Sequence, residues 1–252
     1  MFNQLQNTVA FVTGGGSGLG QGTVRRLIEQ GIKGVVSFDL RRGDYTHQKL
    51  VSIEGDVTKE ADVTQALDQC EKKFGLISAV INCAGIGYAA RIYDHRKGNI
   101  HPLDQFKRVL EVNTVGTFNV ARLAAPHLVK NEMVAGQRGV IVMTSSVASY
   151  DAQVGQAAYA ASKGAVNGMT LAIARDLSTV GVRCVTIAPG LFDTPLLQGL
   201  PDKVRVQLAK TVPCPARLGD PLEYGHLVQT IIENPMLNGE IIRLDGALRM
   251  QP

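Results

Sequence analysis

Apolar residues fall into two alternating textures along the chain. Short segments that are apolar almost throughout, Thr8–Thr13, Val35–Asp39, Val51–Glu54, Ile77–Asn82, Val140–Ser145 and Val182–Ala188, predict strands buried on both faces. Between them, Leu19–Gln30, Glu60–Phe74, Leu103–Asn131 and Ala157–Asp176 carry apolar positions at helical spacing, as Ala61, Val63, Ala66, Leu67 and Cys70 illustrate. Gly31 stands where a glycine would end the first helix. A last helix, Pro221–Glu233, and a last strand, Glu240–Asp245, close the pattern. Strands alternating with helices predict a parallel sheet of about seven strands covered on both faces. The expectation is one doubly wound, Rossmann-type α/β domain over residues 1–252. Phe192–Cys214 breaks the texture: Pro195, Pro201 and Pro213 interrupt an apolar, helical-looking stretch, which predicts a substrate lid at about 191–215.

Composition narrows the function classes. Of 252 residues, 45% are hydrophobic and 19% charged, which excludes a disordered chain. No apolar run approaches the roughly 20 residues that span a bilayer, so no membrane partner is expected. The net charge is +4 with Lys and Arg dispersed, which argues against nucleic acid as the main ligand and favours small anions. Four cysteines without a C-x-x-C pair read as reduced thiols of a cytosol-like compartment. Residence is expected to be cytoplasmic in a bacterium, with the mitochondrial matrix as the eukaryotic alternative. Five histidines lack ligand spacing, so no metal is expected.

The first strand runs into Thr13-Gly14-Gly15-Gly16-Ser17-Gly18-Leu19-Gly20, which opens the first helix. A glycine loop between strand and helix cradles a dinucleotide. Gly14 permits the turn, Gly18 lets backbone approach a pyrophosphate, and Gly20 allows close helix–strand packing. Ser17 and Leu19 complete the loop, whose helix N-terminus offers N–H donors to phosphate. Asp39 ends the second strand, 19 residues after Gly20, where a carboxylate accepts from adenosine ribose hydroxyls and repels a 2′-phosphate. NAD is therefore expected over NADP. The neutral Ser17 agrees, whereas Arg41 and Arg42 pull the other way. Asp56 and Val57 follow the third strand, at an edge that meets adenine; the alternative for Asp56 is a helix N-cap. Asn82-Cys83-Ala84-Gly85 ends the fourth strand at the same carboxyl edge, which makes Cys83, Ala84 and Gly85 cofactor candidates.

Tyr159 and Lys163 are four apart on one helix face, and Ser146 ends the fifth strand thirteen residues before Tyr159. Hydride transfer to a carbonyl needs a proton donor at its oxygen, and the reverse needs a base. Tyrosine titrates near 10, so work near pH 7 asks its pKa to fall by about 3, or about 4 kcal/mol. One cation about 4 Å away supplies about that much at an effective dielectric of 20. Lys163 is the candidate cation, and an oxidised nicotinamide would add to it. Ser146 would hydrogen-bond the reacting oxygen. Asn113 lies midway along the long third helix.

Together TGGGSGLG at 13–20, NCAG at 82–85, Asn113, Ser146, YAASK at 159–163 and PG at 189–190 resemble the short-chain dehydrogenase/reductase superfamily over the whole chain. The resemblance implies that Asn113 holds a water of a proton relay and that Lys163, beside Tyr159, binds the nicotinamide ribose. It also implies that Pro189, Leu191 and Thr194 contact the nicotinamide. Longer segments, among them QVGQAAYAASKGAVNGMTLAIARDLS and NGEIIRLDGALRMQP, are similar to the type 2 3-hydroxyacyl-CoA dehydrogenases, also called type ten 17β-hydroxysteroid dehydrogenases. That similarity implies NAD-dependent interconversion of 3-hydroxyacyl-CoA and 3-ketoacyl-CoA, some action on steroids or secondary alcohols, and a homotetramer. Small residues on one helix, Ala158, Ala161, Ala165 and Gly168, suit such helix–helix contact. The polar insert between Gly85 and Leu103 carries Arg91, Arg96 and Lys97, placed to meet CoA phosphates or simply a solvated loop. Gln153 reads as a substrate-facing amide, and Phe192, Leu196, Leu197 and Leu200 as an apolar wall over an acyl chain or as core. Two other readings stay open: an NADPH-dependent 3-ketoacyl thioester reductase of lipid synthesis, and an NAD-binding scaffold in an RNA-processing complex.

Overall fold

The computed structural model describes residues 5–199 and 201–252; Leu200, expected in the apolar wall, lies outside the described residues. Seven strands form one parallel sheet: Val9–Thr13 (β1), Gly34–Asp39 (β2), Leu50–Glu54 (β3), Ala79–Asn82 (β4), Gly139–Thr144 (β7), Val182–Pro189 (β8) and Ile241–Leu244 (β9). Their order is β3-β2-β1-β4-β7-β8-β9. The chain runs outward from β1 to β3, then returns to β4 on the other side of β1. A crevice therefore opens beyond the carboxyl ends of β1 and β4, where ligands of doubly wound sheets bind.

The all-apolar strands make sense once both faces are covered. On one face, Phe11, Val36, Val80 and Ile141 pack with Leu67 of the helix Glu60–Phe74 (α2), Leu128 of Thr117–Val129 (α4) and Val166 of Ala157–Ser178 (α5). On the other, Val12, Val35, Ile81, Val142 and Val185 meet Leu27 of Gly18–Glu29 (α1) and Tyr224 and Ile231 of Pro221–Glu233 (α8). Helices α1 and α8 touch through glycines: a Cβ on Gly22 would sit 2.5 Å from the Pro221 backbone. Gly31 follows α1 at φ +87°, as a helix-ending glycine does. Asp220 caps α8 in a capping box with Glu223, and Pro221 takes its first turn.

Two departures from the sequence reading bear on the site. The helix expected as one piece over Leu103–Asn131 is interrupted: Leu103–Leu110 (α3) and α4 flank a π-helical turn, Glu111–Gly116. A π turn adds a residue without ending the helix, and so re-aims its side chains. Here it brings Asn113 to full burial. The insert after β4 is more than a loop. It forms an antiparallel hairpin, Tyr93–Asp94 (β5) with Asn99–Ile100 (β6), anchored by Ala90 N–H donating to the Gly155 carbonyl at 2.9 Å. The expected lid holds two short helices, Pro195–Gln198 (α6) and Asp202–Lys210 (α7). Among the described residues, no helix is long and apolar enough to cross a membrane.

Candidate active site

The glycine loop fills the crevice from the β1 side. Gly14 has φ +65°, and a Cβ there would meet the Ala84 backbone nitrogen at 2.7 Å, so the loop lies directly on the end of β4. Thr13 Oγ1 accepts from Ala84 N–H at 3.2 Å, joining the two strand ends. Asp39 turns its carboxylate onto the same loop: Oδ2 accepts from Gly16 N–H at 3.0 Å. Gly18, at φ +51°, has the Thr194 and Pro195 side chains nearest its would-be Cβ, at 3.4 Å and beyond, so it faces the lid across the mouth. Ser17 caps α1 without a side-chain hydrogen bond, which leaves the first helical N–H groups to a ligand. These residues fit a dinucleotide: bare backbone at the mouth, uncapped amides for phosphate and a carboxylate at the ribose position.

The other half of the crevice is built by β7 and α5. Lys163 is 4% exposed, and its Nζ donates to the Thr144 carbonyl at 2.8 Å. In return Ser145 Oγ donates to the Lys163 carbonyl at 3.0 Å. This reciprocal clamp fixes strand end and helix against each other. One turn earlier on α5 stands Tyr159; one residue beyond Ser145 stands Ser146, whose hydroxyl acts on the Tyr159 phenol and holds its pKa down. Ser146 also accepts from Ala148 N–H at 3.1 Å, which fixes its hydroxyl at the start of a 3₁₀ turn, Val147–Ser149. Lys163 Nζ lies 5.8 Å from the centre of the Tyr159 ring.

Asn113 closes the site from below. Its Oδ1 accepts from Ile86 N–H at 2.8 Å, while Nδ2 donates to the Ile86 carbonyl at 2.9 Å and to Ser162 Oγ at 3.0 Å. A Cβ on Gly85 would meet Asn113 Oδ1 at 3.2 Å and Lys163 Nζ at 3.5 Å, so Gly85 keeps the space between them clear.

Electrostatics differ from the sequence expectation in one respect. Burial lowers the Lys163 pKa to about 8, with the neighbouring Cys83 opposing it. Burial also pushes the Tyr159 phenol above its ordinary value, and the Ser146 hydrogen bond offsets this only in part. Desolvation of the phenolate thus opposes the drop expected from Lys163.

The family follows from a match over most of the length: a model of the short chain dehydrogenases covers residues 8–205. The chain belongs to the short-chain dehydrogenase family. This dehydrogenase is 55% identical to a human (Homo sapiens) protein called 3-hydroxyacyl-CoA dehydrogenase type-2, over 98% of this chain and 97% of that one. The protein of the same name from Drosophila melanogaster is 54% identical over 98% of this chain and all of its own length. A crystal structure of 3-hydroxyacyl-CoA dehydrogenase type-2 from Mycobacterium avium superposes over the whole of both chains with a TM-score of 0.92 at 37% identity. The dehydrogenase is an oxidoreductase, and its family works with a nicotinamide cofactor.

Most residues singled out in the sequence converge on the crevice of this dehydrogenase. Pro189 ends β8, and Leu191 accepts from Gly219 N–H at 2.9 Å as the chain enters the lid. Val57 is buried; its carbonyl accepts from Asn119 Nδ2 at 2.8 Å. Leu196 is exposed and reaches toward Gly87 of the insert, whose would-be Cβ it meets at 3.2 Å. Gln153, expected as a substrate-facing amide, donates through Nε2 to the Gln251 carbonyl at 2.9 Å. Three expectations need correction. Phe192 is 7% exposed and packs edge-on against Tyr224 with ring centres 6.5 Å apart, so it belongs to the core and not to an open wall. Asp56 is no helix cap, since α2 is capped at Lys59. It makes a local turn, accepting from Thr58 N–H and Oγ1 at 2.9 and 2.8 Å. Ala158 faces the core and not a surface stripe, because the close α5–β7 clamp turns it inward. Thr144, Ser145 and Ser162 were missed; Thr144-Ser145 immediately precedes Ser146, and that polar run at a strand end was the available signal.

Proposed function

We propose that this dehydrogenase interconverts 3-hydroxyacyl-CoA and 3-ketoacyl-CoA with NAD. The observation that carries the chemistry is the gathering of Ser146 and Tyr159 beside the buried Lys163, whose Nζ lies 5.8 Å from the Tyr159 ring centre. The substrate class rests on the 55% identity to the human 3-hydroxyacyl-CoA dehydrogenase type-2. The choice of NAD rests on Asp39, whose carboxylate would accept from a ribose diol and repel a 2′-phosphate. Arg42, which pulls the other way, pairs with Glu54 at 3.8 Å on the surface.

Gly14, Ser17, Gly18, Leu19, Gly20, Asp39, Asp56, Val57, Cys83, Ala84, Gly85, Pro189, Leu191 and Thr194 are the residues that would hold the cofactor, with Tyr159 and Lys163 at its reactive end. The bound nicotinamide supplies the hydride or accepts it and, when oxidised, adds a positive charge. In the reducing direction Ser146 donates to the carbonyl oxygen and Tyr159 passes its phenolic proton to that oxygen as the alkoxide forms. In the oxidising direction Tyr159 takes that proton back. Lys163 stabilises the phenolate between the two events. Leu196 would border the acyl chain, and the basic tip of the hairpin, Arg96 and Lys97, would meet CoA phosphates. Val115, Phe118 and Leu171 expose apolar surface on the π turn, α4 and α5, and we assign this face to a homotetramer contact.

Tyr159→Phe should lower kcat for acetoacetyl-CoA reduction by about 10³ or more while leaving NADH affinity nearly unchanged; full activity would refute the assignment. Lys163 is charged below about 8 and neutral above it. Reductive kcat/KM should therefore fall as pH rises through about 8, and a rate that climbs there would contradict its role. Replacing Arg96 and Lys97 together by Ala should raise KM for the acyl-CoA severalfold with kcat held; an unchanged KM removes these charges from the CoA site. Light scattering should give a mass four times that of the chain, and a monomeric mass would overturn the tetramer.

A further inference from the structure

Beneath Lys163 lies a buried polar chain that the reaction scheme above leaves unused. Thr144 Oγ1 lies 2.6 Å from the Asn82 carbonyl and 2.7 Å from Tyr224 Oη. A threonine hydroxyl has one proton. The carbonyl can only accept, so Thr144 donates to Asn82 and Tyr224 donates to Thr144. The Cys83 thiol lies 3.8 Å from Tyr224 Oη and donates to it. The chain therefore runs from Cys83 through Tyr224 and Thr144 to the Asn82 carbonyl, and ties α8 to the carboxyl ends of β4 and β7. Tyr224 is 0% exposed. Its ring also packs against Phe192 at the root of the lid.

We propose that Tyr224 is a positioning residue for Lys163: its hydroxyl, through Thr144, holds the end of β7 so that the Thr144 carbonyl receives the lysine ammonium. The inference rests on the role given to Lys163 above. Thr144 meets Tyr224 with its side chain and Lys163 with its backbone. Without the Tyr224 hydroxyl the Thr144 side chain loses a buried partner and the strand end relaxes. The carbonyl then holds the charged ammonium less firmly, and charge is lost at lower pH. The titratable groups facing Lys163 are Tyr159 on its own helix, Cys83 at the end of β4, and Tyr224 behind Thr144. Phe192 and the aromatic ring are untouched by loss of the hydroxyl alone, which separates positioning from packing.

The test is the pH profile of acetoacetyl-CoA reduction by NADH in the full-length protein, for Tyr224→Phe, Thr144→Val, Thr144→Ser, the Phe/Val double variant and Lys163→Met. Tyr224→Phe should lower kcat by about three- to tenfold, the range of one neutral hydrogen bond. Its alkaline limb should move down by about half a pH unit, with KM for NADH held within about twofold. Thr144→Val should do the same, Thr144→Ser should restore the wild-type profile, and the double variant should lose no more than either single one. If Tyr224→Phe does not fold, the contrast between Thr144→Val and Thr144→Ser carries the test. A lowered melting temperature with wild-type kcat and an unmoved limb would overturn the proposal, as would losses that multiply in the double variant. Wild-type turnover by Lys163→Met would instead remove the role of the lysine itself.

Discussion

An ammonium buried in a protein must be compensated, and much of this site can be understood from how Lys163 is compensated. Leaving such a charge unpaired costs several kcal/mol. The Thr144 carbonyl answers it at 2.8 Å, and Ser145 answers the helix in return through the Lys163 carbonyl. Two bonds from the adjacent residues Thr144 and Ser145 to Lys163 leave little freedom in how α5 lies against β7. Ser146 follows Ser145 and Tyr159 precedes Lys163 by one turn, so the clamp brings Ser146 and Tyr159 to the same place. The cost shows in the lysine pKa, brought down to about 8 by burial.

The same demand explains the π turn. Asn113 must serve Ile86 on one side and Ser162 on the other, and its three hydrogen bonds span the loop after β4 and the helix that carries Lys163. The regular helical run is broken at Glu111–Gly116, and the amide is buried there. Helix regularity is given up where the site gains a cross-brace, which is where π turns tend to occur. Gly85 completes the arrangement by having no side chain between Asn113 and Lys163.

What could be read from the sequence was chemistry that depends on residue type at short spacing. The glycine loop, Asp39 at a strand end and Tyr159 four before Lys163 are local patterns, and the fold brought them to one edge of the sheet. What could not be read was contact across distance. Thr144 and Tyr224 are 80 residues apart, and Gln153 and its partner Gln251 are 98 apart. Phe192 was ambiguous because an apolar residue in a lid segment does not say which side of the lid faces the core. The π turn was hidden because Val112 and Val115 continue a helical apolar pattern through it. The two-residue strands of the hairpin were too short to produce an alternation. The phenol differs in kind: the spacing to Lys163 is local and legible, whereas the burial of Tyr159, which acts in the opposite direction, is set by the fold.

The proposed reaction joins a cofactor half, set by Asp39 and the glycine loop, to a chemical half, set by the Lys163 clamp, on a CoA thioester. Initial rates with acetoacetyl-CoA at neutral pH, with NADH and NADPH run in parallel, address both halves at once. Fast turnover with NADH and little with NADPH is the predicted result. Turnover confined to NADPH, or none with either, would contradict it.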